Sequence, residues 1–372
     1  MYFTCSSCHV STPADPRVWR CVQCGGPFEI ATRKAFAAES IDARSPSLWR
    51  YRSAIALPEG GPMVSMGEGM TPLVATDFGG RRVHFKLEYL APSGSFKDRG
   101  TTVLISALKG WGVERAADDS SGNAGASFAA YAAHAGIHAE VFTPAHASPA
   151  KLAQIEIFGA TLHRIEGVRA KATEALEAAT REGMVYASHA WSPFTLEGTK
   201  TVAYEIWEQL TGRASDTAAL AVGGPDYYVS PIGQGSLFLG AYRGFKDLQA
   251  AGAISRLPKL IGVQSAGCPP IAEAVRKGLE RAAPIQQQPS IAEGIALARP
   301  IRDREILAAI QETDGTAIAV SDSEIHAARH ALARIGLFVE PTSAVVGAAL
   351  LRLSLQGTVV AVLTGSGLKS PV

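Results

Sequence analysis

The chain has no long basic run, no extended apolar stretch and almost no cysteine beyond its first 24 residues, and each lack removes a class of function. Its 35 basic and 34 acidic residues nearly cancel, so no electrostatic footprint for nucleic acid or an anionic membrane is expected. No apolar stretch reaches the roughly 20 residues needed to span a bilayer. The start, Met1-Tyr2-Phe3-Thr4-Cys5, lacks the charged and apolar regions of a secretion signal. A cytoplasmic location is therefore expected. No internal repeat or low-complexity segment stands out, and residues 281–290 read as an exposed loop. What is plentiful is apolar: 47% of 372 residues are hydrophobic, enough to fill the cores of two or three domains.

Four of the five cysteines form two pairs, Cys5-x2-Cys8 and Cys21-x2-Cys24, the fifth being Cys268. Two such turns can converge four thiolates on one tetrahedral Zn²⁺, with Gly25 and Gly26 letting the second turn close tightly. Two disulfides or a redox pair would use the same residues. A closed four-sulfur site has no open position for substrate, so zinc here would hold structure.

Beyond residue 35 strand and helix patterns alternate. Short apolar strands are expected at 83–87, 139–142, 161–165, 227–230, 260–263, 317–320 and 359–363. Helices are expected at 100–108, 124–134, 149–158 and 237–248, several ended by glycine. This order predicts an α/β protein of two doubly wound, open parallel sheets covered by helices. Such sheets bind ligands at the carboxyl ends of their strands. The expected division is a zinc-ribbon-like segment at 1–35, the first part of a large domain at 36–90, a small α/β domain at 91–192 and the rest of the large domain at 193–372.

Chemistry concentrates at Lys97, in Ser93-Gly94-Ser95-Phe96-Lys97-Asp98-Arg99-Gly100. Ser95 is a candidate N-cap and Asp98 its capping-box partner, which puts Lys97 in the first helical turn. The positive end of the helix dipole disfavours a cation there, helping to supply the neutral amine that an aldehyde cofactor requires. Three polar loops follow strands. In Ser120-Ser121-Gly122-Asn123-Ala124, free N–H groups and hydroxyls at a helix start suit a carboxylate. In Gly233-Gln234-Gly235-Ser236-Leu237, glycines let successive N–H groups turn onto an anion, as a phosphate cradle does. In Thr364-Gly365-Ser366-Gly367, a hydroxyl closes the last strand. Lysine, carboxylate loop, anion cradle and hydroxyl together make a cofactor site.

These motifs, with Gly67-Glu68-Gly69-Met70-Thr71-Pro72-Leu73 and Glu340-Pro341-Thr342-Ser343-Ala344, resemble those of the threonine synthase family of fold-type II pyridoxal-phosphate enzymes along nearly the whole chain. The resemblance implies that Lys97 carries the cofactor aldehyde and then acts as base, with Phe96 beside it. It also implies that Asn123 contacts the pyridoxal 3-oxygen, that Gly233, Gln234, Gly235, Ser236 and Leu237 cradle the cofactor phosphate, and that Thr364 meets the pyridine nitrogen. Ser120, Ser121, Gly122, Asn123 and Ala124 would bind the α-carboxylate of an amino-acid substrate, with Thr71, His189 and Thr195 nearby. An N-terminal zinc ribbon on Cys5, Cys8, Cys21 and Cys24 occurs in some such proteins, and a homodimer is expected because similar enzymes usually are dimers. The family reaction converts O-phosphohomoserine and water to threonine and phosphate.

One segment departs from the pattern. Where threonine synthases often carry an Asn and an Arg for the substrate phosphate, this chain reads Ser192-Pro193-Phe194-Thr195, with Thr195 in the arginine's place. Loss of a bidentate guanidinium removes charge-assisted hydrogen bonds of about 1.5–3 kcal/mol each. The stretch Ile291-Ala292-Glu293-Gly294-Ile295-Ala296 also resembles a corresponding stretch of serine and threonine dehydratases. The alternatives are thus a dehydratase-like or β-replacing enzyme on another amino acid and, more distantly, a non-catalytic binding protein.

Overall fold

The computed structural model describes residues 1–145, 147, 149–167, 169–212 and 223–370. Contacts divide the chain into two compact units. The first comprises Met1–Ala35, Ser40–Glu68 and Lys97–Thr199; the second comprises Phe36–Glu39, Gly69–Phe96 and Lys200–Val372. Among the described residues no helix is long and apolar enough to cross a membrane.

The first unit holds a four-stranded parallel sheet in the order Thr161–Ile165, His138–Pro144, Arg115–Asp118, Val185–Tyr186. Arg115–Asp118 was not foreseen: four residues reading Arg-Ala-Ala-Asp carry no β-branched or aromatic signal. Sheet pairing creates this strand, because Ala116 and Ala117 lie between His138–Pro144 and Val185–Tyr186. The helices Lys97–Gly110 and Asn123–Ala135 pack beside it. The second ends at Gly136, whose left-handed φ of 68° lets its N–H reach the carbonyls of Ala132 and Ala133.

The residues 1–35 belong to this same unit. Tyr2–Cys5 pairs antiparallel with Ser11–Pro13 and Phe28–Ile30, and Phe3 and Phe28 join the unit's core. Phe3 meets Trp111 and Phe194 edge-on, and Trp19 meets Tyr186 and Trp191 edge-on, all with centroids 5.1–6.4 Å apart. The small sheet therefore braces the segment 186–194 at both ends through aromatic contacts.

The second unit is built on six strands in the order Thr316–Val320, Lys259–Ser265, Tyr227–Pro231, Val359–Leu363, Arg81–Leu87, Leu73–Phe78. Five are mutually parallel, and Val-Val-Ala-Val-Leu at 359–363 is buried throughout, as a central parallel strand requires. The edge strand Leu73–Phe78 runs antiparallel, contrary to the all-parallel expectation. Its cause is local: Gly79 and Gly80, with φ of 60° and 75°, form a two-residue turn that pairs Phe78 with Arg81.

On the inner strand, fully buried Lys86 donates through Nζ to Glu205 Oε2 at 2.8 Å, the Thr71 carbonyl at 2.6 Å and Gln209 Oε1 at 2.9 Å. A buried ammonium is tolerable here because its proton donors meet a carboxylate, a carbonyl and an amide oxygen.

Candidate active site

In the first unit Lys97 is the first residue of the helix Lys97–Gly110. Ser95 does not cap it: its hydroxyl is buried without a hydrogen bond, because Ser95 is held instead in an antiparallel bridge to Gly365. Asp98 likewise turns to the neighbouring helix, accepting from Ser127 Oγ at 2.6 Å, while the same hydroxyl lies 2.8 Å from Thr101 Oγ1. The lysine's helix is pinned from its other side by backbone contact. A Cβ on Gly198 would collide with the Arg99 carbonyl, and one on Gly100 with Thr195 Cγ2. Both glycines let Pro193–Thr199 press onto the first turn of Lys97–Gly110. Thr195 is thereby buried, with its Oγ1 unpartnered.

The loop 120–124 stands at the start of Asn123–Ala135, with extended Gly122 as N-cap. Ser120 Oγ accepts from the Gly122 N–H at 3.3 Å. A Cβ at Gly125 would run into the Ser120 carbonyl, so glycine is what allows the loop to fold back over the helix start. The helix start and the loop hydroxyls suit an anion. Directly before the loop, Asp118 is fully buried, and His189 Nδ1 lies 3.6 Å from its Oδ1. Burial and then the Lys97 charge hold the His189 imidazole below its usual pKa, against the pull of Asp118.

In the second unit Thr364 follows the central strand Val359–Leu363. Its N–H donates to Ser343 Oγ at 2.7 Å, and its carbonyl accepts from the Phe96 N–H at 3.0 Å. Its Oγ1 is buried with no hydrogen bond. The loop 233–235 leads into the helix Ser236–Ala250, whose cap Gly235 is left-handed at φ 86°. A Cβ on Gly233 would stand 3.1 Å from the Gly294 carbonyl and 3.3 Å from Ile295 Cα, and one on Gly235 would strike Ile306. The loop is thus glycine by steric need, and it rests on the 291–296 stretch singled out in the sequence. Thr71 is committed elsewhere, its hydroxyl donating to Glu88 Oε1 at 2.6 Å.

The residues of the second unit fit the ring nitrogen and the phosphate of pyridoxal phosphate. An orphaned buried hydroxyl at a sheet's carboxyl end suits a ring nitrogen, and a glycine cradle at a helix start suits a phosphate. In the N-terminal sheet, the ligand atoms of Cys5, Cys8, Cys21 and Cys24 all lie within 4.8 Å of one another. Cys5 Sγ is 3.5 Å from Cys24 Sγ and Cys8 Sγ is 3.6 Å from Cys21 Sγ, and all are free thiols. Those separations exceed the roughly 2.05 Å of a disulfide. The N–H of Cys24, then that of Gln23, hold the Cys21 thiol down at about 7 against its burial.

Asp118 was not recognised in the sequence, and nor was the buried Glu68, which accepts from Tyr131 at 2.7 Å and from the Met66 N–H at 2.9 Å. For Glu68 the motif Gly-Glu-Gly was a usable signal. For Asp118 none existed once its strand was missed.

Residues 64–365 match the family described as pyridoxal-phosphate dependent enzyme. The chain is 34% identical to the threonine synthase of Methanocaldococcus jannaschii over 99% of its own length and 92% of that protein. It is 32% identical to the threonine synthase of Methanosarcina acetivorans over 100% of its own length and 92% of that protein. Among solved structures, the threonine deaminase of T.th. is similar with a TM-score of 0.68 and 25% identity, over 80% of this chain and 92% of the other.

Proposed function

The chain belongs to the threonine synthase family of pyridoxal-phosphate-dependent enzymes, and from that premise we propose that it converts O-phosphohomoserine and water to threonine and phosphate. The observation that carries this reading is similarity to threonine synthases from end to end of the chain, at 34% and 32% identity. Bound pyridoxal phosphate supplies a conjugated ring that accepts the electron pair left when Cα loses its proton.

The chain's own residues then have separable tasks. Lys97 would hold the cofactor, and its free amine would be the group that moves the proton at Cα. Ser120, Ser121, Gly122, Asn123 and Ala124 would bind the α-carboxylate, and the Asn123 amide would also serve the cofactor's 3-oxygen. Gly233, Gln234, Gly235, Ser236 and Leu237 hold the cofactor phosphate, with Phe96 beside the lysine. Thr364 offers a neutral hydroxyl to the ring nitrogen. A neutral partner does not keep that nitrogen protonated, which disfavours long-lived charge on the ring and favours elimination and replacement at Cβ and Cγ over transamination.

A second reading, a dehydratase-like or β-replacing enzyme, is favoured by one observation: Thr195 stands where a phosphate-binding arginine is expected. Incubating the purified protein with O-phosphohomoserine, and separately with serine and with threonine, separates the two. Phosphate and threonine in equal amounts are expected from the first substrate. Turnover of serine or threonine alone to 2-oxo acids would establish the second reading.

The four clustered thiols support a structural zinc, with the ribbon bracing the segment 186–194 that carries His189. One zinc per chain is expected by elemental analysis, and Cys21→Ser should lower both metal content and melting temperature. A metal-free protein of undiminished stability would contradict this. Free thiols also suit a reducing compartment, and the family reading extends to a cytoplasmic homodimer.

A further inference from the structure

Asp118 and His189 have no role in the scheme above that accounts for their placement. Asp118 is fully buried, and among the described residues neither of its carboxylate oxygens has a hydrogen-bond partner. His189 Nδ1 is also buried without one, and it stands 3.6 Å from Asp118 Oδ1, too long for a hydrogen bond but within reach of a small shift. A buried polar group left unpaired costs about 1–3 kcal/mol, so each is the natural partner of the other. Their environment is specific. Asp119, the adjacent carboxylate, is engaged by Thr173 Oγ1 at 2.6 Å, and the Lys97 charge also acts on the imidazole. Burial and that cation keep His189 neutral near pH 7. A carboxylate only accepts, so facing Asp118 the neutral ring carries its proton on Nδ1. With the proton on Nδ1, Nε2 holds the free electron pair.

Proton counting shows where such a base is needed. Turning O-phosphohomoserine and water into threonine and phosphate removes one proton each from Cα, Cβ and the water. It delivers one each to the phosphate, Cγ and Cα. When the water oxygen bonds to Cβ, Cα must be reprotonated, and the lysine ammonium is the donor. A lysine already present as the ammonium cannot accept the water's proton in that same step.

Resting on the O-phosphohomoserine reading, we propose that His189, oriented by Asp118, is the base that takes the proton from the water that becomes the threonine hydroxyl. In that step the water O–H bond breaks and the oxygen forms a bond to Cβ. The water proton goes to His189 Nε2, and the electron pair displaced from Cβ reaches Cα, where it takes the proton of the Lys97 ammonium. His189 returns its proton to solvent as threonine leaves. Asp118 is a positioning residue: it fixes the tautomer and does not meet the substrate.

The test is the ratio of threonine to 2-oxobutanoate formed from O-phosphohomoserine, measured beside phosphate release. Without the base, phosphate still leaves, but the unsaturated product escapes and hydrolyses to 2-oxobutanoate and ammonia. His189→Asn is expected to lower the ratio by about 10²-fold, the lower range of general-base contributions, with phosphate release much less affected. Asp118→Asn should lower it less. In the wild type the ratio should fall as pH drops, with its midpoint below the usual imidazole value of about 6.5. A wild-type ratio flat with pH through that range, or variants in which threonine and phosphate fall together at constant ratio, would overturn the dyad. A wild type that releases no phosphate from this substrate would instead overturn the substrate reading on which the dyad rests.

Discussion

Lys97→Ala is expected to remove the visible absorbance of the lysine-bound cofactor and to lower threonine formation at least 10³-fold. Proton transfer by a positioned side chain contributes about 10²–10⁴-fold alone, and the same change also removes the covalent attachment. The fold should survive. The helix Lys97–Gly110 is secured by Asp98 against Ser127 and by Gly100 and Gly198 at the contact with Pro193–Thr199, none of which depends on the lysine. Alanine is also at least as good a helix former as lysine. Absorbance spectra, steady-state rates and a melting curve on one preparation check all three statements. Retained colour and activity would mean that the cofactor is attached elsewhere.

Lys86→Met should instead strike stability. Its ammonium meets Glu205, the Thr71 carbonyl and Gln209 within 2.9 Å, and both charges of the pair are fully buried. Removing the cation takes away the ammonium that faces the fully buried Glu205 carboxylate, a change that costs about 3–5 kcal/mol. For a chain of this size that corresponds to a fall of roughly 10 °C in melting temperature. Adding Glu205→Leu should recover much of the loss, because then no buried charge is left over. If the single variant melts with the wild type, the pair is not a structural element of the six-stranded sheet.

Apolar patterning located what lies in the cores. The strands Thr161–Ile165 and Val359–Leu363 fall at the expected residues, and the helix Asn123–Ala135 within one residue of them. Elements made by pairing or by turns were less legible. Arg115–Asp118 lacks strand-forming residues, and the Gly79-Gly80 turn reverses an edge strand within an otherwise parallel sheet. Ser95 has the residue type of a cap, but its bridge to Gly365 overrides local preference. The same contrast runs through the site. The roles proposed for Lys97, residues 233–237 and Thr364 rest on short contiguous motifs. The Asp118 and His189 pair arises only because Arg115–Asp118 and Val185–Tyr186 are neighbouring parallel strands, with Ala117 beside Tyr186. No spacing in the sequence announces that contact.

This chain is expected to replace the γ-phosphate of O-phosphohomoserine by a hydroxyl placed on Cβ. Turnover in ¹⁸O-labelled water, followed by mass analysis of both products, tests it most directly. Threonine should carry one labelled oxygen at its hydroxyl and phosphate none, since the C–O bond of the ester breaks. Labelled phosphate with unlabelled homoserine would show cleavage at phosphorus, and would contradict the account.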